Sequence, residues 1–303
     1  MPFADVRAFV TRVVERFIDV RVMGLSAEMT YYALLSLFPL IGAVGASLGF
    51  LERLAGPEQV QRAEATVLLA IEAVLSPEAT EGVVAPLVEG LLRQERAGFA
   101  LGGFLISLFF ASRIFRSAID TLDAAYRVEE RRSTLVLWVL GLLFALMAVV
   151  VATAILAIVV LGPLLGGGRA IAERLGLGAA FEVAWVVARW PAVLAIATAF
   201  LALLYRIGPN VRNTWRESLP GAVFGMAALI LVAAAFRLYI VWAGLQSPEI
   251  LDAEDAVAIA LGGIGALMAS LFWFWLSSMA VLTGGVVNAE WSRTRRPMPP
   301  RRL

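Results

Sequence analysis

The densest set of side chains that could do chemistry is Arg113, Arg116, Asp120, Asp123 and Arg127, which follow one another at intervals of three or four residues. That spacing places all five on one stripe of an α-helix. Two arrangements are open to such a stripe. In the first, Arg116 with Asp120 and Asp123 with Arg127 form i,i+4 pairs along an interfacial face, while Arg113 snorkels outward. In the second, the stripe lines an inward-facing cavity where the guanidinium groups hold an anionic ligand or a lipid headgroup. Arg113 has no acid four residues away, because Phe109 and Ser117 occupy those positions. Its partner must come from another helix, from water or from a ligand.

A second concentration of arginine, Arg206, Arg212 and Arg216, lies in the polar stretch YRIGPNVRNTWRESLPGA between Tyr205 and Ala222. Arg212 joins Arg113 and Arg116 as a candidate anion contact. Arg189, followed by Trp190 and Pro191, stands alone. It reads as an interfacial anchor beside an aromatic, with an outer gate or second anion contact as the alternative. Pro39 is a candidate kink. Gly262 and Gly265, with Gly263, mark a candidate hinge in the last apolar run.

The missing residue types exclude other chemistry. All 25 basic side chains are arginine, and the chain has no Cys and no His. It therefore lacks the parts for a disulfide, a thiolate nucleophile, an iron–sulfur site, a Ser-His triad, an imidazole shuttle or the usual zinc site. No Walker motif is present, and no strand precedes a glycine cluster. We expect no cofactor, no metal, no nucleic-acid partner and no enzymatic reaction.

These residues need elements to position them. At 60% hydrophobic and 16% charged residues, with mean hydropathy +0.84, the chain is too apolar for an ordinary soluble domain. The expected fold is all-α: a polytopic transmembrane bundle of about six spans, near residues 31–51, 98–119, 135–165, 183–205, 219–242 and 256–287. An N-terminal amphipathic helix over Met1 to Gly24 precedes them on the membrane surface. Residues 52–97 form a short extracytoplasmic segment of amphipathic helices. Gly208, Pro209 and Asn210 end one span, and Pro220 falls in the first turn of the next. The membrane domain covers 1–290, and 291–303 is a basic Pro/Arg-rich tail. The connectors holding Arg127, Arg131 and Arg132 and holding Arg206, Arg212 and Arg216 fall on one face with the tail. By the positive-inside bias, that face and both termini are cytoplasmic.

Four stretches give the chain a family resemblance: Ala27 to Leu40 (AEMTYYALLSLFPL), Leu122 to Arg132 (LDAAYRVEERR), Tyr205 to Ala222, and Gly262 to Glu290 with its terminal NAE. Together they resemble the YihY/virulence factor BrkB family of bacterial inner-membrane proteins. The family pattern has Asn where this chain has Asp123, and an acidic residue where it has Val286. The resemblance implies a helical protein of about six spans in the bacterial cytoplasmic membrane, linked to envelope integrity and transport. Some members once carried the label ribonuclease BN, which a chain without histidine does not support. The expectation is a transporter or lipid-handling protein for an anionic amphiphile or small solute, with membrane lipids as partners. The alternative is a non-transporting scaffold that supports the envelope.

Overall fold

The computed structural model describes residues 3–55, 97–161, 179–242 and 256–295, and its regular structure is helical throughout. The helices are α1 (Phe3–Asp19), α2 (Val22–Ala55), α3 (Ala97–Tyr126), α4 (Thr134–Leu156), α5 (Ala179–Ile207), α6 (Trp215–Trp242) and α7 (Ala256–Arg295). A π-helical turn, Ala157–Leu161, continues α4. Among the described residues, α3 to α7 each contain a stretch long and apolar enough to cross a membrane. The 34-residue α2 runs through the expected first span. Residues 243–255, most of the segment 52–97 and the chain beyond Arg295 lie outside the described residues.

Local chemistry sets the helix ends. Ser133 caps α4, its side chain accepting from the Val136 N–H. At the start of α6 the Glu217 carboxylate accepts from the backbone N–H of Thr214 at 2.8 Å and from its hydroxyl at 3.0 Å, as in a capping box. This cap starts α6 five residues before Pro220, so Pro220 sits in the second turn, where the sequence placed it in the first. Two further expectations change. The glycines at 262, 263 and 265 do not interrupt α7, which runs unbroken for 40 residues, roughly 60 Å at 1.5 Å per residue. It therefore projects well past a 30 Å hydrocarbon layer. That projection absorbs the start of the expected tail, since Arg293 and Arg295 are helical and Arg293 pairs with Glu290 at 3.0 Å.

The bundle is organised around α3, whose two sides feed two cores. Ala118, Ala125 and Tyr126 pack with Val22 and Met29 of α2 and with Leu282, Val286 and Ala289 of α7, covered by Val13 and Phe17 of α1. Ile119 and Leu122 pack with Leu137 and Phe144 of α4, Leu204 and Tyr205 of α5 and Ala222 of α6. In lipid, apolar contact gives helices no driving force to associate, so close packing and internal hydrogen bonds must hold them. The crossing of α6 and α7 shows both. A Cβ placed on Gly284 would stand 2.5 Å from Tyr205 Oη and 2.8 Å from the Gly225 Cα, and one on Gly221 would strike Asn288. Only glycine permits that approach.

Candidate functional site

The stripe on α3 divides into an open part and a closed part. Arg113 and Arg116 are half-buried and Asp120 is exposed, whereas Asp123 is buried. The Arg113 guanidinium lies 5.2 Å from the ring centroid of Tyr32 on α2 and donates to its hydroxyl at 3.1 Å. One turn on, Arg116 lies 5.8 Å from the ring centroid of Trp138 on α4. Among the described residues no carboxylate comes within ion-pair distance of either guanidinium. The partner of Arg113 does come from another helix, but it is a phenol. Two cations are thus held by aromatic faces on either side of α3, an arrangement worth about 0.5–2 kcal/mol each depending on desolvation. Their donors are left largely free.

The closed part joins two connectors. The first of the two arrangements open to the stripe paired Asp123 with Arg127, but Arg127 takes a left-handed conformation (φ 59) and turns outward at the end of α3. The reversed chain brings Arg132 back instead. Its Nη2 lies 3.6 Å from Asp123 Oδ2 and donates to the Gly208 carbonyl at 2.7 Å, and its Nε donates to Glu130 at 2.9 Å. Through Nη1 it also reaches the Ile207 carbonyl at 3.3 Å, so it caps the C-terminal end of α5, where a cation suits both the free carbonyls and the helix dipole. Asp123 Oδ1 accepts from the Asn210 N–H at 2.6 Å, and Asn210 Nδ2 donates to the Glu129 carbonyl at 3.3 Å. The Arg132 fork holds the Glu130 carboxyl down to about 2, and Glu130 in turn raises Arg132.

The end of α7 completes this layer. Asn288, fully buried, accepts from the Gly221 N–H at 3.0 Å and donates to Tyr126 Oη at 2.6 Å. Tyr205 Oη donates to the Val281 carbonyl at 2.6 Å. Glu290, only 1% exposed, meets Arg293 at 3.0 Å and Arg12 of α1 at 3.7 Å. Arg16 of α1 donates to the Ala124 and Ala125 carbonyls and so caps α3; burial first and the nearby Arg127 second lower its pKa. One hydrogen-bonded layer therefore ties α1, α3, α5, α6, α7 and both connectors.

The remaining sequence candidates stand apart. Arg212 is exposed, two residues beyond Asn210, and roughly 15 Å of α3 separate the Asp123 level from Arg113. Arg189 lies 5.5 Å from the ring centroid of Trp190. Pro39, Pro191, Gly262 and Gly265 all lie inside continuous helices. Sequence reasoning read Arg132 as connector charge that sets topology and Asn210 as a residue that ends a span, and it gave Glu130 no role. The available signal was Asn288, a polar side chain at the end of an apolar run, three and four residues beyond Gly285 and Gly284 and so on their helix face.

The sequence profile of the virulence factor BrkB family matches residues 13–302. The ribonuclease-like protein YfkH of Bacillus subtilis (strain 168) is 25% identical over 264 residues, which cover 87% of this chain and 88% of that protein. The UPF0761 membrane protein Bpet3042 of Bordetella petrii is 29% identical over 162 residues, 48% of this chain and 32% of that protein. No solved structure matches the chain significantly. With five apolar helices of spanning length among its described residues and a profile match over most of its length, the chain is a multi-pass membrane protein that belongs to the virulence factor BrkB family.

Proposed function

We propose that the protein binds an anionic amphiphile of the bacterial cytoplasmic membrane at the α2–α3–α4 face, and that it handles lipid rather than catalysing a reaction. The observation that carries this reading is the pair Arg113 and Arg116, half-buried on a membrane-spanning helix, each held by an aromatic ring and, among the described residues, without a carboxylate within ion-pair distance. A cation at that depth is costly without an anion, and a phosphate or carboxylate headgroup supplies one while its chains stay in lipid. Asp120, exposed one turn beyond Arg116, marks the watery end of the face. The positive-inside bias of the arginine-rich connectors supports a cytoplasmic position for this end and for both termini.

The test is lipid extraction from detergent-purified protein, followed by mass spectrometry, for wild type and for the double variant Arg113→Gln, Arg116→Gln. The variant should lose one bound anionic molecule per chain and keep its apparent melting temperature within about 5 °C. Retention of the same anions by a folded double variant would overturn the reading.

A scaffold reading is favoured by a different observation, the hydrogen-bonded layer that locks both connectors together. It predicts that the double variant restores detergent resistance to a deletion strain as well as wild type does.

A further inference from the structure

A second face of α2 holds a groove unrelated to the stripe on α3. It lies between α2 and α7, has a volume of about 420 Å³, and is walled by Ala27, Tyr31, Leu34, Met268, Phe272 and Trp275. The lining is almost wholly apolar. Tyr31, Met268 and Phe272 are 58%, 56% and 47% exposed, so the groove opens sideways from the bundle. Since Leu267–Thr294 of α7 is a candidate span, sideways means into the bilayer. Tyr32, the partner of Arg113, lies about 100° round α2 from Tyr31.

The connector end of the groove is shut and charged. Trp275 Nε1 donates to the Met23 carbonyl at 3.1 Å, which pins α7 to the first turn of α2. Just beyond, Arg21 forms the elbow between α1 and α2 in a left-handed conformation (φ 58). Its Nη2 folds back along α2, 4.0 Å from where a Cβ on Gly24 would stand. Arg21 is exposed, and among the described residues no carboxylate is within ion-pair distance. Glu28, the nearest acid in sequence on α2, lies towards Asp120 on the α3 side.

Helix α1 fixes the level of that elbow. Val13 and Phe17 face the core, while Val6, Val10, Val14 and Ile18, spaced by four, form an apolar stripe left exposed. Arg7, Thr11 and Glu15 make a third, polar sector. A helix with one side on protein, one apolar and open, and one polar lies in the membrane interface. The elbow that ends it is therefore at headgroup depth, and the groove, which starts at Ala27 nearly two turns (roughly 9 Å) further along α2, is at acyl depth.

We propose that this groove holds an acyl chain of an anionic phospholipid whose phosphate is met by Arg21. From Ala27 to Leu34 the groove runs roughly 10 Å along α2, the scale of a chain segment rather than of a whole lipid. A guanidinium fork pairs with a phosphate through two donors. The site is independent of Arg113 and Arg116.

Native mass spectrometry of detergent-released protein with added phosphatidylglycerol or phosphatidylcholine tests this. Wild type should retain phosphatidylglycerol at least fivefold over phosphatidylcholine. Arg21→Gln should lose one retained phosphatidylglycerol and Arg21→Lys should recover part of it. Ala27→Trp should empty the groove of either lipid, and the Arg113→Gln, Arg116→Gln protein should keep the lipid that Arg21 holds. If Arg21→Gln and Ala27→Trp bind as wild type does, the groove is not a lipid site. A wild-type dimer that Ala27→Trp converts to monomer would instead assign the groove to a second copy of the chain and overturn the proposal.

Discussion

Replacing Asp123 separates the two ways its carboxylate can matter. Oδ1 accepts the Asn210 N–H at 2.6 Å, while Oδ2 lies 3.6 Å from Arg132, beside the Glu130 carboxyl that the same arginine holds. Asp123→Ala removes the acceptor and strands the part-buried Asn210 N–H. A stranded group costs about 1–3 kcal/mol, and bonds to charged acceptors lie in the upper part of that range, so the expected loss is about 2–3 kcal/mol. For a chain of this size that lowers the apparent melting temperature by roughly 5–10 °C. Asp123→Asn keeps the acceptor. It removes a charge from Arg132, but Arg132 retains Glu130 and the carbonyls of Ile207 and Gly208, so the loss should stay within about 1 kcal/mol. Thermal unfolding in one detergent, followed by tryptophan fluorescence, compares the three proteins. If Asp123→Asn falls as far as Asp123→Ala, the ion pair rather than the backbone bond holds the connectors, and the reasoning fails.

Three other outcomes follow from the same geometry. The Glu130 carboxyl is depressed from 4.5 to about 2 by Arg132, so its stabilisation is full above pH 4.5 and disappears as pH falls towards 2. Wild type and Glu130→Gln should differ near neutral pH in acid-unfolding curves and converge as pH falls towards 2; a gap that widens below pH 4.5 contradicts the pairing. Gly284→Ala should cost about 1–3 kcal/mol by forcing α6 from α7, whereas Gly102→Ala, with open space around it, should cost nothing measurable in the same melting assay. In this Cys-free chain, an impermeant thiol reagent applied to intact cells should label a cysteine placed at Glu78 and leave one at Asn213 unlabelled; the reverse pattern would invert the topology.

The sequence by itself determined what depends on neighbours along the chain. Hydropathy over twenty residues names a spanning helix, arginine content ranks the connectors, and Gly208 with Pro209 ends α5 at Ile207, because each of these acts within one or two helical turns. The amphipathic α1 was legible for the same reason. The i,i+4 rule gave Asp123 the wrong arginine, because one left-handed residue at Arg127 reverses the chain and carries Arg132 back to it. The bonds of Asn288 to Gly221 and Tyr126 join residues 67 and 162 positions apart. Only the packing of three helices sets such partners, since a buried polar group in lipid must be satisfied by whatever the fold brings beside it. The split of the arginine stripe was decided the same way: Tyr32 and Trp138 reach Arg113 and Arg116 from α2 and α4, and no periodicity along α3 records which neighbours those helices present.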